Sequence, residues 1–150
     1  MRNFLVKTLS TFFYVGFLPL IPGTFASLIG VTIFYLTRGN FWLMILLTAS
    51  IIILGFAASG EAERMFNKKD AKCIVIDEVA GMLLSLMFLP FSIKFVIIAF
   101  VLFRLLDILK PYPANRFQDL NGSIGIMGDD IVAGLYTNLI ISVALKMGFF

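Results

Sequence analysis

Of the nine acidic residues in the 150-residue chain, five stand in a pattern that chemistry can use. Asp77-Glu78 and Asp129-Asp130 are adjacent pairs. Each runs into an apolar stretch of similar start, Val79-Ala80-Gly81 and Ile131-Val132-Ala133-Gly134. Asp107 lies near the end of a third apolar run. A carboxylate in or near hydrocarbon costs a few kcal/mol and needs a partner. Five that converge would also repel one another, and a divalent cation is the simplest remedy. Hard Mg²⁺ prefers carboxylate oxygen and completes its shell with water and substrate phosphate. Asp77, Glu78, Asp107, Asp129 and Asp130 are therefore candidate metal ligands and candidate catalytic residues. Helix capping is the plainer reading of the pairs, since Asp and Glu suit a helix N-terminus. It leaves Asp107 unexplained, because that residue sits at the wrong end of its helix. Arg104 and Lys110, three residues to either side, are its simplest ionic partners. Gly81 and Gly134 would let two helices approach closely beside the acids.

A complementary anion site is expected at Pro22-Gly23-Thr24-Phe25-Ala26-Ser27. Pro-Gly breaks the chain and Thr24 opens the next helix. Free N–H groups and the hydroxyls of Thr24 and Ser27 then gather at a positive helix end, which suits phosphate. Gly23, Thr24 and Ser27 are candidate substrate-binding residues, with Arg104 and Lys110 as cations to offset phosphate charge. An ordinary helix break with Thr24 as N-cap is the simpler alternative. The glycines of 122–128 read as a flexible loop leading into Asp129.

Composition excludes several chemistries. The chain has no His, so imidazole is ruled out as base, nucleophile or ligand. The lone Cys73 allows no intrachain disulfide and reads as a small buried apolar residue. Six positions beyond it, after five intervening residues, stands Val79, not the Arg of a cysteine phosphatase loop. The net charge of +3 is modest and forms no nucleic-acid stripe. Arg64, Lys68, Lys69 and Lys72 suit a cytosolic loop near anionic lipid.

The elements that must position these groups are membrane helices. Apolar residues make up 60% of the chain, charged ones only 14%, and mean hydropathy is +1.00. A water-soluble domain of this size could not hide that much apolar surface. We expect an all-α integral membrane protein with one membrane-embedded domain over 1–150. It would be a polytopic bundle of about four to five apolar segments. The runs are 4–21, 25–36, 41–60, 79–89, 92–109 and 131–150. Several fall short of the roughly 20 residues a bilayer needs, so they are expected to be tilted or re-entrant. Pro19 and Pro22-Gly23 interrupt the first run, which argues against a cleaved signal peptide. Loops are expected at 61–77 and 110–128. Placing the N-terminus and both loops on one side collects nine of the twelve basic residues there and makes that side cytosolic. All nine acids fall on the same side.

Three stretches, in order, resemble the phosphatidylglycerophosphatase A family of bacterial inner-membrane enzymes. They are Pro19-Leu20-Ile21-Pro22-Gly23-Thr24-Phe25-Ala26-Ser27, then Ile76-Asp77-Glu78-Val79-Ala80-Gly81, then Phe103-Arg104-Leu105-Leu106-Asp107-Ile108-Leu109-Lys110-Pro111-Tyr112-Pro113. The last continues through Gly125-Ile126-Met127-Gly128-Asp129-Asp130-Ile131-Val132-Ala133-Gly134. The resemblance covers roughly 19–134, and the loop between Pro113 and Gly125 departs from it by one residue. It implies a Mg²⁺-dependent hydrolase in the bacterial inner membrane, with its active site facing the cytosol. It would remove the terminal phosphate of phosphatidylglycerophosphate, a phospholipid substrate in the bilayer. The resemblance maps its acidic residues onto Asp77, Glu78, Asp107, Asp129 and Asp130.

Direct attack by water and attack by an aspartate remain equally open from the residues. A cation-coupled transporter or channel subunit is the rival from another class, since broken helices and intramembrane acids occur there too. It would place the acids near the bilayer midplane rather than at one face. A purely structural assembly protein would instead pair every acid with Lys or Arg. No protein partner is indicated.

Overall fold

The computed structural model describes residues 1–149. Helix α1 covers Arg2–Ser10 and is followed by one 3₁₀ turn, Val15–Phe17. Then come α2 (Pro22–Leu36), α3 (Phe41–Phe66), α4 (Ile76–Leu86), α5 (Ile93–Leu109), α6 (Ala114–Phe117) and α7 (Ser123–Lys146). No strand occurs among the described residues. Local chemistry sets several boundaries. Pro22 opens α2, where its missing N–H costs nothing and its fixed φ suits the first turn. The Asn40 side chain accepts a hydrogen bond from the Leu43 N–H at 3.0 Å and caps α3. Asn67 in the left-handed region stops that helix. Lys110, also left-handed and followed by Pro111, stops α5.

The shortest of the bundle helices, α4, is the centre of the molecule. Val79, Ala80, Met82, Leu83 and Leu86 are fully buried, and α2, α3, α5 and α7 pack around it. The chain runs up and down, so the N-termini of α2, α4 and α7 meet the C-termini of α3 and α5 at one end. The far end carries the 37–40 and 87–92 connections. There Phe34 stacks on Phe91 at 5.4 Å and the Arg38 guanidinium lies 4.5 Å over the Phe91 ring. Asn138 of α7 donates to the carbonyl oxygens of Ser85 and Met87, satisfying the end of α4.

Two helices, α3 and α7, are long and apolar enough to cross a membrane. With 15, 11 and 17 residues, α2, α4 and α5 reach only about 16–26 Å at 1.5 Å per residue, short of a core of about 30 Å. The outward faces of α3 and α5, including Ile53, Val101 and Ile108, expose apolar side chains as a lipid-facing surface does.

The structure redraws four expected boundaries. The run 4–21 is not one segment, because α1 stops at Ser10. Beyond it Phe12, Phe13, Tyr14 and Leu20 take positive φ. A tertiary contact explains the break. Gly16 lies so close to the Cys73 carbonyl that a Cβ would overlap it, and the Val75 N–H donates to the Ser10 carbonyl at 2.9 Å. Helix α3 continues past Gly60 through Glu61-Ala62-Glu63-Arg64-Met65, which are mostly good helix formers. The 110–128 loop contains α6, and its glycine-rich part is the start of α7. Cys73, expected to be buried, is only half-buried. That burial still pushes its thiol above the ordinary range, as for an unreactive cysteine.

Candidate active site

The site is built on the contact between α4 and α7. A Cβ on Gly134 would sit 2.5 Å from the Gly81 carbonyl oxygen, and one on Gly81 would sit 2.7 Å from the Asp130 carbonyl oxygen. Only bare backbone allows this approach. Asp77 lies one turn before Gly81 and Asp130 one turn before Gly134, so the contact sets α4 and α7 carboxylates side by side. Asp77, Glu78 and Asp130 each offer a carboxylate oxygen within 4.8 Å of the other two. Each also holds a buried oxygen with no hydrogen-bond partner: Oδ1 of Asp77, Oε2 of Glu78 and Oδ2 of Asp130. Buried carboxylate oxygens without donors are costly, and three facing one another call for a positive charge. The donor set fits a hard divalent cation.

The other two acids have cationic partners. The Arg104 Nη1 lies 2.9 Å from Asp107 Oδ2. Lys110 Nζ donates to Asp129 Oδ2, while Asp129 Oδ1 accepts from the Asp130 N–H at 3.0 Å. Burial alone would push the Lys110 amine down. The hydrogen bond and charge of Asp129, with Asp130 and Asp107 behind it, outweigh this and hold it above the ordinary lysine range. The five acids thus divide into two that are neutralised by side chains and three that are not. That division disagrees with a purely structural reading, which needs a partner for each.

Side-chain capping does not account for the pairs, although Asp77 and Glu78 do stand where the helix dipole favours acids. Neither α4 nor α7 has a side-chain cap hydrogen bond. Asp77 and Glu78 lie within the first turn of α4 rather than before it. Asp129 and Asp130 lie well inside α7, which starts at Ser123.

Helix α2 brings its N-terminus to the same place. A Cβ on Gly23 would overlap Glu78 Oε1 and come within 3.3 Å of Arg104 Nη1. A cavity of about 230 Å³ opens here, lined by Gly23, Thr24, Asp70, Lys72, Glu78 and Arg104 among others. Thr24 is not the N-cap, since Ile21 holds that position. The N–H groups of Thr24 and Phe25 already donate to the Ile21 carbonyl. Ser27 is fully buried and does not line the cavity. Its hydroxyl donates to the Gly23 carbonyl at 2.9 Å and accepts from Arg104 Nη1 at 3.5 Å, so it holds the guanidinium in place. Lys110 also stands outside this cavity, turned to Asp129.

Sequence reasoning passed over Glu63 and Asp70. Glu63 accepts from the Gly122 N–H at 2.7 Å and from the Asp70 N–H at 3.3 Å, tying the end of α3 to the start of α7. Asp70 lines both the main cavity and a second one, of about 160 Å³, that reaches Asp129. In the sequence both sit in what reads as a solvated charged loop. Their role depends on the α3 extension, which no motif announces.

Fold and site together define an all-helical bundle with a lipid-compatible surface and a buried carboxylate centre that could hold a metal ion. The chain belongs to the phosphatidylglycerophosphatase A family, whose model matches residues 8–145. It is 37% identical over 123 residues to the phosphatidylglycerophosphatase A of Escherichia coli, covering 80% of this chain and 72% of that one. The phosphatidylglycerophosphatase A of Haemophilus influenzae is 31% identical over 140 residues, 91% of this chain and 86% of that one. A Bacteroides thetaiotaomicron protein provisionally named a phosphatidylinositol-3-phosphatase is 33% identical over 153 residues, 95% of this chain and 94% of its own. No solved structure matches the chain.

Proposed function

We propose that the protein is a Mg²⁺-dependent lipid phosphatase. It hydrolyses the terminal phosphate of phosphatidylglycerophosphate to give phosphatidylglycerol and inorganic phosphate. The observation that carries this reading is the trio Asp77, Glu78 and Asp130, with unpartnered buried oxygens, of which Glu78 lines a cavity together with Arg104. Family membership gives the reaction class. The relatives' names divide between two lipids whose shared chemistry is a phosphate monoester on a headgroup.

Asp77, Glu78 and Asp130 would hold the cation, with Asp129 and Asp107 close by in the same acidic centre. When bound there, it supplies Lewis acidity toward a phosphate oxygen. Arg104 Nη1 is engaged by Asp107 and Ser27, which leaves its other N–H donors for phosphate charge in the cavity. Gly23 and Thr24 form the opposite wall, where the bare Gly23 lets the Glu78 carboxylate and the Arg104 guanidinium approach α2. Lys110 donates to Asp129 Oδ2 and fixes that carboxylate beside the trio. Burial of the carboxylates limits water to the cavity. The attacking oxygen is a water or one of these aspartates; both fit the same residues.

The protein would span the bacterial inner membrane through its apolar helices, α2, α4 and α5 completing a polytopic bundle within one domain. The site end would face the cytosol, since that end carries most of the Lys and Arg. A cation-coupled transporter fits less well, because the acids gather toward one end of the bundle rather than midway along it.

The test is phosphate release from phosphatidylglycerophosphate, and from phosphatidylinositol 3-phosphate, by purified protein in detergent. Wild type with Mg²⁺ should release phosphate from the first lipid. EDTA and Asp130→Asn should each lower the rate at least about 100-fold. Preference for the phosphoinositide would reassign the substrate. Release that persists in EDTA would overturn the metal reading.

A further inference from the structure

We infer that Lys72 binds the phosphodiester of the lipid substrate, in a subsite between the catalytic cavity and an apolar groove that receives the lipid's hydrophobic part. The inference rests on the phosphatase reading above and extends it to how a lipid is told from a soluble phosphate.

Two cavities share a wall. The inner one, about 230 Å³, holds Arg104 and Glu78. The outer one, about 470 Å³, is lined by Phe17, Leu18, Leu20 and Phe66, with Lys68 on its rim. Lys72 and Pro22 line both. Chemistry therefore changes in order across this end of the molecule, from acid and guanidinium, through an ammonium at the shared wall, to aliphatic and aromatic side chains. Among the described residues neither Lys72 nor Lys68 forms an ion pair. Leu20 is 96% exposed and takes φ 76°, a left-handed conformation that only a constrained segment imposes on leucine. An apolar side chain held out in this way beside cations suits the boundary between headgroups and acyl chains.

The substrate has the same order. Its monoester is terminal, its phosphodiester lies one glycerol away, and its acyl chains follow. With the monoester beside Arg104, the diester falls toward Lys72 and the acyl region toward Leu18 and Leu20. An ammonium on a phosphodiester is a charge-assisted contact worth about tenfold in affinity or more.

Inhibition separates the two phosphates. Short-chain phosphatidylglycerol carries the diester without the monoester, and inorganic phosphate is the reverse. Both are titrated against phosphatidylglycerophosphate hydrolysis in detergent with Mg²⁺. Lys72→Ala should raise the inhibition constant of phosphatidylglycerol about tenfold and that of inorganic phosphate less than twofold, and Lys72→Arg should recover most of the loss. Equal weakening of both inhibitors would put Lys72 at the reacting phosphate and overturn the assignment. So would a phosphatidylglycerol constant that does not move. In either case the phosphatase reading survives, because the wild-type rate is its own control. A wild type that hydrolyses no lipid monoester would overturn that reading and this inference with it.

Discussion

Replacing Gly134 with Ala tests whether the α4–α7 contact builds the site. The added Cβ would lie 2.5 Å from the Gly81 carbonyl oxygen, 3.1 Å from its carbon and 3.2 Å from its Cα. All three are backbone atoms, so no side chain can swing away. Ordinary contact begins at 3.4 Å, and the helices must therefore part by about 0.9 Å or tilt. Overpacking of this kind costs about 1–3 kcal/mol. The parting also moves Asp130 away from Asp77 and Glu78, which now meet within 4.8 Å. A displacement near 1 Å at a reacting centre lowers rate about 100-fold. Phosphate release should fall by that factor, with a higher Mg²⁺ concentration needed for half-maximal rate. Gly39→Ala is the control. It sits at the far end with nothing within 4 Å of the new Cβ, but at φ +84°. Backbone strain there should cost about 1 kcal/mol of stability with the rate retained. A Gly134→Ala protein with wild-type rate and Mg²⁺ response would refute the reasoning.

Three further outcomes follow from the same structure. Lys110→Met removes the partner of a buried carboxylate and should destabilise the protein by about 3 kcal/mol, measured by thermal or denaturant unfolding in detergent, and Asp129→Asn in that background should restore stability but not activity. The same pair gives a pH dependence. Because the folded-state amine is held above its ordinary 10.5, its contribution is fully present below that pH and is lost as pH rises through the raised value. The stability difference between wild type and Lys110→Met should then be flat from about pH 7 to 9 and shrink only above 10.5; a difference that shrinks between pH 7 and 9 would contradict the pairing. Asn138→Leu strips the donors from two carbonyls at the end of α4 and should cost about 1–3 kcal/mol, while phosphate release from the folded fraction stays within about twofold, since the site lies at the opposite end.

Much was legible before any coordinates. The apolar composition points to a helical membrane protein and the paired acids to a metal-assisted site; family membership agrees with the phosphatase class and names no cofactor. The pairing of Arg104 with Asp107 was visible as a three-residue spacing, and the close approach at Gly81 and Gly134 as two bare positions beside acids. Those features are local, so a sequence carries them. The structure alone showed which acids lack cations. Lys110 lies three residues from Asp107 yet turns to Asp129 on another helix, and only that choice leaves Asp77, Glu78 and Asp130 as the open trio. Two of the boundary errors have the same origin. The break after Ser10 and the helical start of α7 go with contacts between segments far apart in the chain, Val75 on Ser10 and Gly122 on Glu63, whereas the continuation of α3 follows the helix formers at 61–65. Composition and spacing thus determined which groups are present and what they can do. Packing decided which of them meet, because charge pairing and helix approach depend on distances in space that no interval along the chain encodes.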